Sequence, residues 1–206
     1  MIDFLTIPHL TSFSFESDVI SELVTAHSVA YDGIATMVTV AHSNCSRAGV
    51  EEYFLICEGV DLMLSKRCPS EFAMNISHAA RLREGDRVVA LGFRHNVVDS
   101  VMRSWEGGIA GKVSDFRKGQ CLAGERNVTV LPDEFILNGH QIPGMSGGGC
   151  LNGYGYLGVA HAVDEFGAAL VIPESYVRSC IEKYRANLTR IEDCPGLKVI
   201  VPPKLS

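Results

Sequence analysis

Long apolar runs, paired cysteine spacings and a surplus of positive charge are all missing from this 206-residue sequence. Each absence excludes something. No stretch approaches the roughly 18–20 consecutive apolar residues of a membrane-spanning helix, so no membrane partner is expected. The first residues, Met1-Ile2-Asp3-Phe4, lack the basic start and apolar core of a secretory signal. Lysine and arginine total 18 against 24 aspartates and glutamates, a net charge of −6. That balance removes the electrostatic basis on which nucleic-acid binding usually rests. The seven cysteines (45, 57, 68, 121, 150, 180 and 194) are odd in number and form no Cys-x-x-Cys pair. No zinc site is expected from them, and they read as reduced thiols in a cytosol-like compartment, several of them core residues.

What is present describes a packed globule, with 47% hydrophobic and 20% charged residues. There is no internal repeat, low-complexity tract or linker before the last dozen residues. Glycine and β-branched residues recur at short intervals, the pattern of many short strands. Strands are expected at 12–15, 24–31, 33–41, 52–57, 60–64, 88–93, 97–104, 107–115, 127–131, 155–163 and 168–172, with a turn or short helix at 17–23. One helix is convincing. Pro173 opens it, and Tyr176, Val177, Cys180, Ile181 and Tyr184 recur at helical spacing up to about residue 187. The tail from Cys194 onward, with Pro195, Pro202 and Pro203, reads as an extended strap or a frayed end.

Three places carry chemistry. Ser146 lies in Gly144-Met145-Ser146-Gly147-Gly148-Gly149. Glycine lets the backbone turn sharply and lets a substrate approach closely. A serine hydroxyl becomes a nucleophile when a base takes its proton and N–H groups receive the charge that forms on the substrate. The N–H groups of Gly144 and Ser146 are candidates for the second role. The same residues also fit a glycine-rich hairpin with a solvated serine. His42 ends the apolar run 33–41, where a rigid strand meets solvent. That position suits a general base, and equally a histidine that only bonds nearby backbone. Asp61 heads the apolar Leu62-Met63-Leu64. Burying it is costly unless it is hydrogen-bonded or paired, for which a histidine would serve; otherwise it caps the hairpin at Glu58-Gly59.

Taken together and in order, these segments resemble the chymotrypsin-like (trypsin-like) serine proteases. Thr39-Val40-Ala41-His42-Ser43-Asn44-Cys45 resembles their Thr-Ala-Ala-His-Cys block. Val60-Asp61-Leu62-Met63-Leu64 is similar to their Asp-Leu-Ala-Leu-Leu block, and Gly144-Met145-Ser146-Gly147-Gly148 to Gly-Asp-Ser-Gly-Gly. The His, Asp, Ser order is that of this family. Gly85–Phe93 and Gly167–Pro173 resemble stretches of HtrA-type and small intracellular peptidases, so the likeness spans about residues 30 to 180. It implies an all-β fold of two six-stranded antiparallel β-barrels with a C-terminal helix. Residues 1–95 would carry His42 and Asp61, 96–173 would carry Ser146, and 174–206 would form the helix and tail. The resemblance further implies Ser146 as nucleophile and His42 as general base. Asp61 would orient His42, and the Gly144 and Ser146 N–H groups would form the oxyanion hole. It implies a protein or peptide substrate, no metal and no cofactor, with a cytoplasmic location (the host's, for a viral member).

Four features depart from the family pattern. His42 and Asp61 are only nineteen residues apart, which makes Glu58 the next candidate acid. Met145 replaces the aspartate that digestive members use to bind a processed N-terminus, which argues against zymogen activation. Cys45 has no upstream cysteine to pair with. Val24-Thr25-Ala26-His27-Ser28 is a second histidine block, ranked below His42 because few residues precede it. For substrate choice, His140 lies six residues before Ser146, at a position that often forms the base of the pocket. Leu157-Gly158-Val159-Ala160-His161 resembles the Gly-x-His strand of glutamyl endopeptidases and picornavirus-type proteases, with the histidine one residue late. A one-residue shift turns a strand side chain to the opposite face. A pocket lined by His140 and His161 would prefer Glu or Gln; the alternative is that both are polar strand-end or surface residues. The competing function is a protease-fold binding domain without activity. A thiol enzyme is disfavoured because no cysteine stands at the nucleophile position, and Cys150 reads as core.

Overall fold

The structure is a computed structural model that describes residues 2–7, 10–16, 21–42, 49–69, 71–76, 82, 85–98, 101–112, 119–123, 126–131, 133–140, 145–152, 155–163 and 167–201. The chain opens with β1 (Ile2–Ile7), β2 (Leu10–Glu16), β3 (Ser21–Tyr31) and β4 (Ile34–Thr39). A single helical turn, α1 (Val50–Tyr53), leads to β5 (Phe54–Ile56), β6 (Met63–Ser65) and β7 (Phe72–Asn75). Next come β8 (Arg87–Val98), β9 (Val101–Lys112), β10 (Gly119–Ala123), β11 (Arg126–Val130) and β12 (Phe135–His140). The last strands of that group are β13 (Gly149–Asn152), β14 (Gly155–Val163) and β15 (Ala168–Pro173). Helix α2 (Glu174–Tyr184) follows, then two 3₁₀ turns and β16 (Lys198–Ile200).

Among the described residues two sheets result, each of eight strands, consistent with the expected pair of barrels. The first runs β1-β2-β3-β4-β6-β5, with β7 added to β3 and β16 added to β7. Long β3 makes the corner: Ser21–His27 pair with β2, while Val29 and Ala30 turn to β7. β3 and β4 are joined by Asp32-Gly33, both at positive φ, the two-residue turn that suits a twisted hairpin. The second sheet runs β11-β10-β14-β13-β8-β9, with β15 on β14 and β12 on β15. The chain passes from the first sheet to the second between Asn75 and Arg87. Of the two expected strands at 97–104 and 107–115, residues 97–98 end β8, 101–104 and 107–112 fall in one continuous β9 paired along its length with β8, and 99–100 and 113–115 lie outside the described residues.

The cores show why both sheets stay together. Ile34, Val38, Phe54, Leu62 and Leu64 from the first sheet side join Val159 and Ile172 from the second and Val177 and Ile181 of α2 in one buried cluster. Burial of each such side chain is worth about 1.5–3 kcal/mol. Val88, Phe135, Leu137, Cys150 and Val171 fill a second cluster within the other sheet. Helix α2 therefore packs as the spacing of its apolar residues predicts, with Val177, Cys180 and Ile181 buried.

The tail is stitched down. Cys194 forms a disulfide with Cys68, and β16 adds in parallel to β7. The expectation of uniformly reduced cysteines is thus corrected: two positions 126 residues apart in sequence are brought together by the path of the chain around the first sheet. Cys57, Cys150 and Cys180 are buried free thiols, as core cysteines should be, and Cys45 lies outside the described residues. Residues 21–23 of the expected turn or short helix belong to β3, and 17–20 lie outside the described residues.

Candidate active site

The site begins where β4 ends. After Thr39 the chain leaves the sheet, and two residues beyond Val40 His42 stands at the surface of the first sheet's core. Asp61 approaches from the short β5–β6 connection, where Gly59 has φ of +78° and turns the chain tightly. Its carboxylate is used almost completely. Oδ1 accepts the backbone N–H groups of Ala41 at 3.0 Å and of His42 at 2.7 Å. Oδ2 lies 2.7 Å from His42 Nδ1. Because Asp61 grips both the ring and the backbone of the same residue, the imidazole has little freedom to swing. Burial alone would push the Asp61 carboxyl up, but hydrogen bonds and charge from His161 and His42 hold it at about 2. Glu58, the alternative acid, is exposed and instead pairs with Lys183 Nζ at 2.8 Å.

Ser146 occupies a turn whose shape its neighbours dictate. The Gly148 N–H bonds to the Met145 carbonyl at 2.9 Å, and Gly147 sits at φ of +89°. That is the geometry of a turn requiring glycine at its third position. Space demands glycine there as well, since a Cβ on Gly147 would come 1.9 Å from the Thr25 carbonyl oxygen and 2.6 Å from Thr39 Oγ1. A Cβ on Gly148 would meet the Leu91 carbonyl oxygen at 2.2 Å. The serine turn is therefore pressed against β3, β4 and β8 at once. Met145 is buried beneath it, and Ser146 itself is half-buried.

Backbone bonds fix the serine turn to both sheets. The Thr25 N–H reaches the Ser146 carbonyl at 3.1 Å, and the Gly147 N–H reaches the Ala160 carbonyl at 2.8 Å. The residue after Ala160 is His161, which contacts Asp61, which holds His42. A short path thus runs from the serine turn to the histidine through β14. Gly144 and the side chain of His140 lie outside the described residues; the His140 backbone ends β12, opposite Ala168.

Two histidines take places that differ from their sequence reading. His161 is fully buried, with Nδ1 3.1 Å from Asp61 Oδ2 and Nε2 2.8 Å from Glu134 Oε2. Both nitrogens are occupied by carboxylates, so neither is left to bind a substrate. The pairing of β14 with β15 shifts register between Ala160 and Ala162, so simple strand alternation does not hold at His161, whose side chain meets Asp61 and Glu134. His27 is also buried. Its Nδ1 bonds the Gly147 carbonyl at 2.8 Å and its Nε2 the Tyr156 hydroxyl at 2.8 Å. A carbonyl only accepts, so Nδ1 carries the proton and Nε2 accepts from tyrosine. Burial lowers the His27 imidazole to about 4, against the raising effect of the Gly147 bond, so it stays neutral. Its role is to hold the serine turn.

Glu134 and Tyr156 were missed from sequence. Glu134 carries the same signal as Asp61, an acid heading an apolar run (Phe135-Ile136-Leu137), and is fully buried. Among the described residues no cluster of His, Cys, Asp and Glu is arranged to hold a metal ion. No described helix is long and apolar enough to cross a membrane.

No family model and no curated protein sequence matches the chain. Solved structures do. The MamO protease domain from Magnetospirillum magneticum is 15% identical with a TM-score of 0.57, over 84% of this chain and 95% of that one. The thermostable serine protease AL20, from an extremophilic microorganism, is 13% identical with a TM-score of 0.53, over 87% and 97%. The HtrA-type protease AlgW, solved with a decapeptide, is 18% identical with a TM-score of 0.52, over 86% of this chain and 54% of that one. At these identities the likeness establishes the fold, which is the two-barrel fold of trypsin- and chymotrypsin-like serine proteases.

Proposed function

We propose that this chain is a serine endopeptidase working through Ser146, His42 and Asp61. The observation that carries the reading is the double grip of Asp61 on His42, with 2.7 Å contacts to both its ring Nδ1 and its backbone N–H. With Nδ1–H donated to Asp61, the lone pair of Nε2 is left to act as base. In the reaction, His42 takes the Ser146 proton as Oγ attacks the scissile carbonyl carbon, and the tetrahedral oxyanion forms against the Gly144 and Ser146 N–H groups. His42 then gives that proton to the leaving amine, leaving an acyl-enzyme. Water, deprotonated by His42, attacks the ester, and release of the acid returns Ser146 to its starting state. Asp61 stabilises the imidazolium at both steps.

A peptide substrate is supported by the likeness to the HtrA-type protease AlgW, which was solved with a decapeptide. A preference for Glu or Gln at the cleaved position rests on His140 alone, because His161 is engaged with carboxylates. The expected result of profiling the purified protein against a peptide library is cleavage after Glu or Gln. Cleavage after Arg, Lys or large aromatic residues contradicts that preference while leaving the endopeptidase reading intact. A cytoplasmic location loses the support it drew from reduced cysteines, since a structural disulfide such as Cys68–Cys194 persists most readily in oxidising compartments.

A further inference from the structure

We propose that His161 is a positioning residue of this site: an imidazolium, fixed between Asp61 and Glu134, that holds the Asp61 carboxylate in register for His42. The inference rests on the endopeptidase reading and extends it by two residues. Its ground is geometric. His161 Nδ1 stands 3.1 Å from Asp61 Oδ2 and Nε2 stands 2.8 Å from Glu134 Oε2, with His161 and Glu134 both fully buried. A neutral imidazole has one donor nitrogen and one bare lone pair. Here a lone pair on either side would point at a carboxylate oxygen in a medium that screens poorly, so both nitrogens donate.

The partners are themselves anchored. Glu134 Oε1 accepts the Leu131 N–H at 2.8 Å, which fixes the carboxylate from its own turn. Asp61 Oδ2 is shared between His42 Nδ1 and His161 Nδ1, while Oδ1 takes two backbone N–H groups. The result is a row, His42–Asp61–His161–Glu134, crossing from the first sheet to the second. It has a chemical consequence. Alone, the row of Asp61, His161 and Glu134 carries one net negative charge, so it becomes neutral overall when His42 takes the serine proton. Among the described residues, the titratable groups facing His161 are Asp61 from the β5–β6 connection and Glu134 from the turn entering β12. His42 lies across Asp61. Beyond Glu134 are Asp133 and Tyr176 of α2, whose hydroxyl is raised by burial and then by Asp133 and Glu134. Burial by itself would lower the His161 imidazole, but its bonds to Asp61 and Glu134 raise it to about 9.

Two measurements test this. In ¹⁵N-resolved imidazole spectra of the wild-type protein at pH 8, one of the seven histidines is expected to be doubly protonated, and its signal to vanish in His161→Asn. Finding every imidazole neutral at pH 8 overturns the proposal. The second is the pH profile of kcat/KM. Its alkaline limb is expected near 9, where His161 loses its proton. Glu134→Gln removes a negative neighbour and so weakens the protonated form, which moves that limb down by about one pH unit with KM little changed. A folded Glu134→Gln protein whose alkaline limb has not moved overturns the proposal, because a merely structural glutamate would leave the limb in place. If that variant fails to fold, the wild-type spectrum decides. The spectrum needs no activity, so an absence of turnover would sink the endopeptidase reading without touching the charge of His161.

Discussion

Replacing Ser146 with alanine is expected to lower kcat for peptide hydrolysis by about 10⁶-fold, leaving KM nearly unchanged. The size follows from how the parts depend on one another. Without Oγ there is no acyl-enzyme, and the His42–Asp61 pair has no hydroxyl to deprotonate. Any residual rate comes from water attacking a substrate that the oxyanion donors still polarise. The substitution should not disturb the turn. Its conformation is set by the Met145–Gly148 hydrogen bond and by Gly147 at positive φ, and the Ser146 backbone carbonyl keeps its bond from Thr25. A melting temperature equal to that of the wild type, alongside the loss of rate, is the expected pattern. Steady-state kinetics on one cleaved peptide, with thermal melts of both proteins, checks it.

Asp61→Asn is expected to cost about 10⁴-fold in kcat, again with little change in KM. Here the surroundings dictate which way the amide points. The oxygen at the Oδ1 position receives two backbone N–H groups, from Ala41 and His42, so the amide nitrogen must take the Oδ2 position. There it donates toward His42 Nδ1, which forces the His42 proton onto Nε2, the nitrogen that must be bare to accept from serine. The same NH₂ also meets His161 Nδ1, a donor in the wild type. Asparagine therefore fails twice, through the tautomer of His42 and through the clash with His161. Glu58→Gln should leave kcat unchanged by comparison, since Glu58 is exposed and paired with Lys183 on the surface.

Much of this arrangement was legible in the sequence because its signals are local. An aspartate heading Leu62-Met63-Leu64, a histidine closing the β4 run and a serine between glycines each violate a simple rule of burial or conformation. Such violations cluster where a chain does chemistry. The closing hairpin of β14 and β15 and the helix α2 were legible for the same reason, through alternation and helical spacing within one segment. What escaped depends on partners far apart in the chain. Cys68 and Cys194 are joined only because the tail returns along β7, which no spacing rule encodes. β12 was missed although Pro132-Asp133 mark a turn before Phe135, and it is held by pairing with the distant β15. The Gly-x-His likeness leaves His161 open between a pocket and a polar strand-end place, and its contact with Asp61 arises at a register shift of β14 that the sequence does not mark. Glu134 was passed over although it carries the signal that singled out Asp61. His27 was set aside as a rival to His42, and its place under Gly147 emerged only from the packing of β3 against the serine turn.

The central claim is that Ser146 is an activated nucleophile. It is tested most directly by reacting the folded protein at neutral pH with a fluorophosphonate and mapping the adduct by mass spectrometry. Attack by an activated Oγ forms the O–P bond and expels fluoride, with the serine proton leaving through His42. The account predicts one adduct per chain, on the peptide containing Ser146, formed by the wild type and lost in Ser146→Ala. A folded wild type that acquires no adduct, or acquires it at another residue, contradicts the claim and leaves a protease-fold binding domain in its place.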